Sequence, residues 1–140
     1  MTDVNDLERR IKVIEETEAI KRLKYRYWRY LDLKQWDDLA TLFVADASVS
    51  YGAGAVTIHQ GHQPEIDLTS AATATGTWAL YNYMYNEKQN RGIRIGAYYY
   101  DDYVKVGSEW KFQRIGYAPI FHEEWKRDDL PSLHLIAGGQ

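Results

Sequence analysis

The sequence contains no cysteine. That absence removes disulfides, thiolate nucleophiles and thiolate metal sites at once. Nor is one sign of charge in surplus. Against 17 Lys and Arg stand 20 Asp and Glu, a formal net charge of −3, so the electrostatics give no case for nucleic acid as a partner. No apolar run approaches the length needed to cross a bilayer, which argues against a membrane partner. Residues 1–8 are polar and acidic, with no apolar stretch behind them, so a cytoplasmic protein without a secretory leader is expected. Phenylalanine is scarce as well. Only 3 Phe accompany 12 Tyr and 5 Trp, so most of the aromatic surface carries a hydroxyl or an indole N–H that needs a partner when buried. A polar-edged cavity would supply such partners, and so would a subunit interface; the liking of Tyr for pleated sheet is the plainer alternative.

What is present is enough for a core. Hydrophobic residues make up 45% of 140, a length that fits one domain over residues 1–140. Residues 4–33 repeat apolar side chains at three- and four-residue steps, first Leu7, Ile11 and Ile14, then Ile20, Leu23, Tyr27, Tyr30 and Leu31. This spacing predicts helix with one buried stripe. Thr17, between the two sets, is placed to cap a second helix beginning near Glu18. Residues 36–43 form a further short helix, with Asp37 and Asp38 in the first turn, where the helix dipole favours them.

After Asp46 the period becomes alternating. Strands are expected at 48–51, at 56–62 with Pro64 as the stop, at 73–86, 93–106 and 110–121, with turns at 90–92 and at Gly107 and Ser108. Short turns between successive strands imply an antiparallel meander, and helices followed by sheet make the class α+β. Gly61, Gly76, Gly96 and Gly116 fall inside strand-like runs, where bulges or bends would curl a sheet. The expected fold is three N-terminal helices packed in a strongly curved antiparallel sheet, forming a cone with an internal cavity. Residues 127–140 read as an irregular arm, able to lie on a neighbouring subunit.

Two places carry chemistry. Asp32 lies between Leu31 and Leu33 at the end of a helix that packs on the core, five residues after Tyr27. A carboxylate so placed is either paired, or exposed and bonded to backbone in the turn before Trp36. His59 and His62 are the second place. In a regular strand they point to opposite faces, so they do not chelate a metal together, and no metal is expected. His59 alone, facing a cavity, would accept or give a proton near neutral pH; as a core or interface histidine it would be bonded to backbone. A bulge at Gly61 would bring His62 to the same cavity. The strand 75–84 splits by parity, with Trp78, Leu80, Asn82 and Met84 on one face and Tyr81, Tyr83 and Tyr85 on the other. If the first face lines the cavity, Asn82 would bond a ligand oxygen or position the histidine. If the tyrosine face points inward, Asn82 meets solvent.

These stretches resemble the SnoaL-like family of the nuclear transport factor 2-like superfamily. The resemblance rests on the run 19–32 with Tyr27 and Asp32, Trp36-Asp37-Asp38-Leu39, and His59-Gln60-Gly61-His62-Gln63-Pro64-Glu65. It continues through Thr73 to Trp78, Gly96-Ala97-Tyr98-Tyr99, Asp102-Tyr103, Trp110-Lys111 and Gly116-Tyr117. Within the family the pattern looks closest to the bacterial bile-acid 7α-dehydratases. That resemblance implies a catalytic set of Tyr27, Asp32 and His59. From the strand pattern, Trp78, Leu80 and Met84 are expected as apolar walls for the substrate, with Asn82 and His62 as further contacts. The chain differs at Asn82 and Pro119, where the dehydratases carry Asp and Arg. It differs also between Tyr51 and Val56, where the relatives are roughly 20 residues longer, about a helix plus a strand.

The implied activity is a cofactor-independent lyase or isomerase working on a cyclic hydroxy-ketone such as a steroid or polyketide. His59 moves the proton, Tyr27 donates to the carbonyl oxygen and Asp32 orients the imidazole. A binding module without chemistry, or an oligomerisation module with the same cone, stands as the alternative. The expected partners are a small apolar ring compound and further copies of the chain, as a homodimer or homotrimer.

Overall fold

A computed structural model describes residues 3–47 and 55–138. The order of elements is helix α1 (Val4–Asp32), helix α2 (Trp36–Ala40), strands β1 (Ala55–Leu68), β2 (Thr73–Asn86), β3 (Arg91–Val106) and β4 (Glu109–Lys126), and a 3₁₀ turn at Arg127–Asp129. The strands form one antiparallel sheet in the order β1-β2-β3-β4. The α+β class and the antiparallel meander are therefore as the sequence pattern implies. The short strand expected at 48–51 lies outside the described residues, as does the connection 52–54.

Helix α1 begins where the Asp3 side chain accepts a hydrogen bond from the Asn5 N–H at 3.1 Å. It then runs unbroken for 29 residues. The second helix start expected at Thr17 is absent. Glu18 pairs instead with Arg22 one turn on, at 3.7 Å. Glu16 is held from the sheet, accepting from Lys105 and from the Trp110 indole N–H. The buried stripe is also shorter than expected. Ile20, Leu23, Tyr27, Trp28 and Leu31 are buried, whereas Leu7, Ile11 and Ile14 are exposed. Periodicity shows which side of a helix is apolar; it does not show whether anything covers that side. Among the described residues there are two α-helices and one 3₁₀ turn rather than three helices, and α2 stops at Ala40 instead of Phe43.

The sheet curls over the second half of α1. Strand β2 spans the expected 73–86, and its inward face carries Ala74, Gly76, Trp78, Leu80 and Asn82, all buried, with Met84 half-buried. Ladder register shifts fall between His62 and Glu65, Gly96 and Ala97, and Asp102 and Tyr103. Such irregularities bend a strand and increase its twist. Strand β1 does not end at Pro64. It continues to Leu68 through the first irregularity, where Gln63 has φ +50°. Because β1 is the edge strand, the missing proline N–H is tolerated there. Gly61 serves a close approach instead of a bulge: a Cβ there would overlap the Trp28 ring. Likewise the expected turn at 90–92 lies earlier, since Arg91 and Gly92 already pair within β3.

The core closes with Leu39 and Leu42 from the α2 region and Tyr103, Trp110 and Phe112 from the last two strands. A parallel bridge between Phe43 and Phe112 ties the segment after α2 to the sheet. Beyond β4, Arg127 is buried with its guanidinium 4.1 Å from the centre of the Tyr85 ring, which pins the start of the irregular tail to its own sheet.

Candidate active site

Asp32 closes α1, and its carboxylate meets β1. Oδ1 lies 2.6 Å from His59 Nδ1, and Oδ2 accepts the His59 backbone N–H at 2.9 Å. The Thr57 hydroxyl, two residues earlier on the same face of β1, donates to Oδ1 at 2.9 Å. The β1–β2 register sets Asn82 directly opposite His59, with the amide nitrogen 2.8 Å from His59 Nε2. Asp32, His59 and Asn82 thus form a line from helix end to mid-sheet.

The line fixes the imidazole tautomer. An ionised Asp32 accepts, so Nδ1 carries the proton, and the Asn82 amide donates to the lone pair on Nε2. Burial pushes the Asp32 carboxyl upward. The bonds from the His59 ring and backbone, the nearby imidazole charge and the Thr57 hydroxyl outweigh it and hold the group below the usual carboxylate range. The Asn82 Oδ1 is buried without a partner among the described residues. A half-turn of the amide would let that oxygen accept from a protonated Nε2, so Asn82 can serve the histidine in both protonation states.

His59, Asn82 and Thr57 open onto a cavity of about 650 Å³. Its wall includes Tyr27, Leu31, Leu80, Met84, Ile95 and Tyr99, with Lys34 and Trp36 at the helix end, and it also takes in Asp46 and Arg114. Tyr27 is buried among aromatic rings, its centroid 5.4 Å from that of Phe112. Of the sequence-predicted residues, Tyr27, His59, Leu80, Asn82 and Met84 line this one cavity, and Asp32 stands behind His59.

Two predicted contacts belong elsewhere. His62 is exposed and is not part of the cavity wall, because β1 stays regular through Gly61 and the register shift comes only after His62. Trp78 is buried deeper, in edge contact with Trp28 at 5.3 Å, and its indole N–H donates to the Tyr103 oxygen at 2.9 Å. It packs the core without reaching the cavity. Sequence reasoning missed Thr57, Lys34 and Tyr99. The two-residue spacing from His59 pointed to Thr57; nothing local pointed to Lys34.

A second polar cluster lies deeper. Lys24 is fully buried, and its ammonium donates to Asp101 Oδ2 at 2.7 Å. The Tyr103 hydroxyl donates to the same oxygen at 2.8 Å. The ammonium also sits 3.6 Å from the centre of the Tyr99 ring and 4.8 Å from that of Tyr27. Burial pulls the Lys24 pKa down to about 8 against the opposing pull of Asp101, and burial likewise pushes the Asp101 carboxyl up. Among the described residues, no three His, Cys, Asp or Glu side chains gather as a metal site.

The SnoaL-like domain family matches residues 12–56 and 50–116, most of the chain, in two segments that meet at the short connection after Tyr51. The chain belongs to the SnoaL-like domain family. Solved structures share the nuclear transport factor 2-like cone fold. A protein from Novosphingobium aromaticivorans described as a scytalone dehydratase superposes with a TM-score of 0.72 at 24% identity, covering 80% of this chain and 89% of that one. Hexachlorocyclohexane dehydrochlorinase LinA-type3 from Novosphingobium barchaimii gives 0.75 at 19% identity, covering 95% and 99%. A protein from Novosphingobium aromaticivorans described as an aromatic ring hydroxylase gives 0.70 at 14% identity, covering 83% and 96%. One fold thus carries proteins described by different reactions, so function has to be argued from the side chains in the cavity.

Proposed function

We propose that the cavity carries out a cofactor-independent lyase or isomerase reaction on a cyclic hydroxy-ketone or similar ring compound, with His59 as the proton-moving group. The observation that carries this reading is the Asp32–His59 pair, 2.6 Å apart, with His59 in the wall of the cavity. Membership of the SnoaL-like family supports it, as does the cone shared with proteins described as a dehydratase and a dehydrochlorinase.

In the proposed reaction Nε2 takes a proton from a carbon beside the substrate carbonyl. Asp32 stabilises the imidazolium that forms. The Asn82 amide yields Nε2 to the substrate and turns its oxygen to the new N–H. Tyr27 donates to the carbonyl oxygen, where negative charge develops. For elimination the imidazolium returns its proton to the departing hydroxyl; for isomerisation it returns it to another ring carbon. On a true substrate, His59→Ala is expected to lower turnover by about 10²-fold or more, as measured by product formation under saturating conditions. Unchanged turnover would remove His59 from the mechanism.

A nearer likeness to bile-acid 7α-dehydratases belongs to the same proposal. It rests on Tyr27, Asp32 and His59 and is weakened at Asn82 and at Pro119, which sits exposed in β4. A second reading is a binding module. It is favoured by the Asn82 amide, which already occupies the basic nitrogen at 2.8 Å. Tight binding of ring ketones with no product after long incubation would select it. Association of copies through the outer sheet face, where Tyr98 and Tyr100 are exposed, is also part of the proposal.

A further inference from the structure

Lys34 occupies a costly position. Helix α1 ends with the Gln35 N–H bonded to the Tyr30 carbonyl at 2.9 Å and the Lys34 N–H to the Leu31 carbonyl at 3.3 Å. This paired closure needs a left-handed residue between the helix and the outgoing chain, a place that glycine usually takes because it has no Cβ to clash. Lys34 takes it with φ +59°. Strain of this kind gathers where a side chain has a task.

The task follows from where the ammonium lies. It reaches the cavity wall, donating to Thr57 Oγ1 at 2.9 Å and to the Leu31 carbonyl at 3.3 Å, both neutral acceptors. Among the described residues no carboxylate comes within ion-pair distance of it. Asp32 attracts it, but that carboxylate is taken by the His59 ring, the His59 N–H and Thr57. The cavity's other cation, Arg114, is bonded to Asp102 at 2.6 Å. Residues 48–54, which follow the cavity-lining Ala47 in sequence, contain no acidic side chain. Burial lowers the Lys34 pKa in spite of Asp32, as expected of a charge that its surroundings do not fully compensate.

We infer that Lys34 is the anion-binding group of the cavity, so that the ring compound taken there carries a carboxylate or a similar organic anion. The inference rests on the reading of this cavity as a substrate site and narrows its substrate class. Leu31, Leu80, Met84, Ile95 and Ile115 take the apolar body of the ligand; the Lys34 ammonium takes its charge.

The test is equilibrium binding to the full chain of two probes matched in shape, 2-naphthoate and 2-naphthamide, followed by quenching of the intrinsic Trp and Tyr fluorescence. The wild type should prefer the anion by about tenfold or more, the effect of one charge-assisted hydrogen bond. Lys34→Gly should abolish that preference while naphthamide binding persists, and Lys34→Arg should retain it. Lys34→Gly should also melt no lower than the wild type, since glycine fits the left-handed position, which separates loss of binding from loss of fold. Equal binding of the two probes by the wild type, binding of neither, or an undiminished preference in Lys34→Gly would overturn the assignment. The lyase reading is judged separately. Naphthoate binding needs no proton transfer, so His59→Ala should keep the anion preference. If His59→Ala turned over substrate normally, the lyase reading would fall and the Lys34 assignment would stand.

Discussion

Two acid–base pairs lie on the inner side of this sheet, and they have opposite fates. Asp32 and His59 meet at 2.6 Å beside a cavity, and the Asp32 carboxyl is held below its usual range. Lys24 and Asp101 meet at 2.7 Å with no exposed side-chain surface, and burial moves both groups toward neutrality. The bond lengths are nearly equal. What differs is access. A pair that borders a cavity can exchange a proton with a ligand at modest cost. A fully buried pair is locked, because each charge depends on the other for its solvation. The locked pair touches the Tyr27 and Tyr99 rings that form part of the cavity wall, so it supports the shape within which the open pair works.

The sharpest contrast comes from breaking each pair in turn. Asp101→Asn removes the anion that opposes burial at Lys24, so the buried amine is left uncompensated or driven to its neutral form, and the change should remove about 3–5 kcal/mol of stability, measured by urea unfolding. Asp32→Asn should remove far less stability and, on a true substrate, about 10²-fold or more in kcat, because the imidazolium loses its anion. If the two variants exchanged these phenotypes, the division between locked and open pairs would be wrong.

Smaller changes sharpen the same contrast. Thr57→Val deletes one hydrogen bond to Asp32 and should weaken folding by about 1 kcal/mol. The same change on the buried side, Tyr103→Phe, should be more harmful, since Asp101 Oδ1 already lacks a partner among the described residues and Oδ2 would lose one. The smallest effect is the acid limb of stability. The folded pKa of Asp32 is below its unfolded value, so its contribution is present above the unfolded pKa, about 3.9, and is lost as pH falls through the folded pKa. Glu16, lowered by its bonds to Lys105 and Trp110, acts in the same direction. Urea midpoints at pH 5 and pH 3 should differ less in Asp32→Asn than in the wild type.

How much of this could be read from the sequence follows from the range of each interaction. Strand β2 was legible to the residue because its alternation is local and long. Asp32 and His59 stood out for local reasons too, a carboxylate between leucines and a histidine in an alternating run. Their partnership, 27 residues apart, came with the family resemblance and not with spacing. The role of Asn82 depended on which face of β2 points inward, and two faces were consistent with the pattern until α1 was seen to cover one. Lys24 and Asp101, 77 residues apart, left no trace, since a lysine at that point of an amphipathic helix looks like ordinary surface charge. Lys34 was invisible for a different reason: the sequence shows a helix end but not that a lysine adopts the glycine conformation there. The errors at Thr17, Pro64 and Gly61 share a cause as well. Each residue has a strong local preference, and tertiary contacts decided otherwise: Glu16 bound from the sheet, an edge strand that tolerates proline, and a tryptophan ring that requires a missing Cβ.

The most direct measurement is the ring ¹⁵N NMR spectrum of His59 in the free protein, assigned through His59→Gln. The expected result, at a pH where the ring is neutral, is a proton on Nδ1 and none on Nε2, with a shift toward the Nε2–H form in Asp32→Asn. A wild-type spectrum with the proton on Nε2, unaffected by Asp32→Asn, would contradict the open pair on which the proposed chemistry depends.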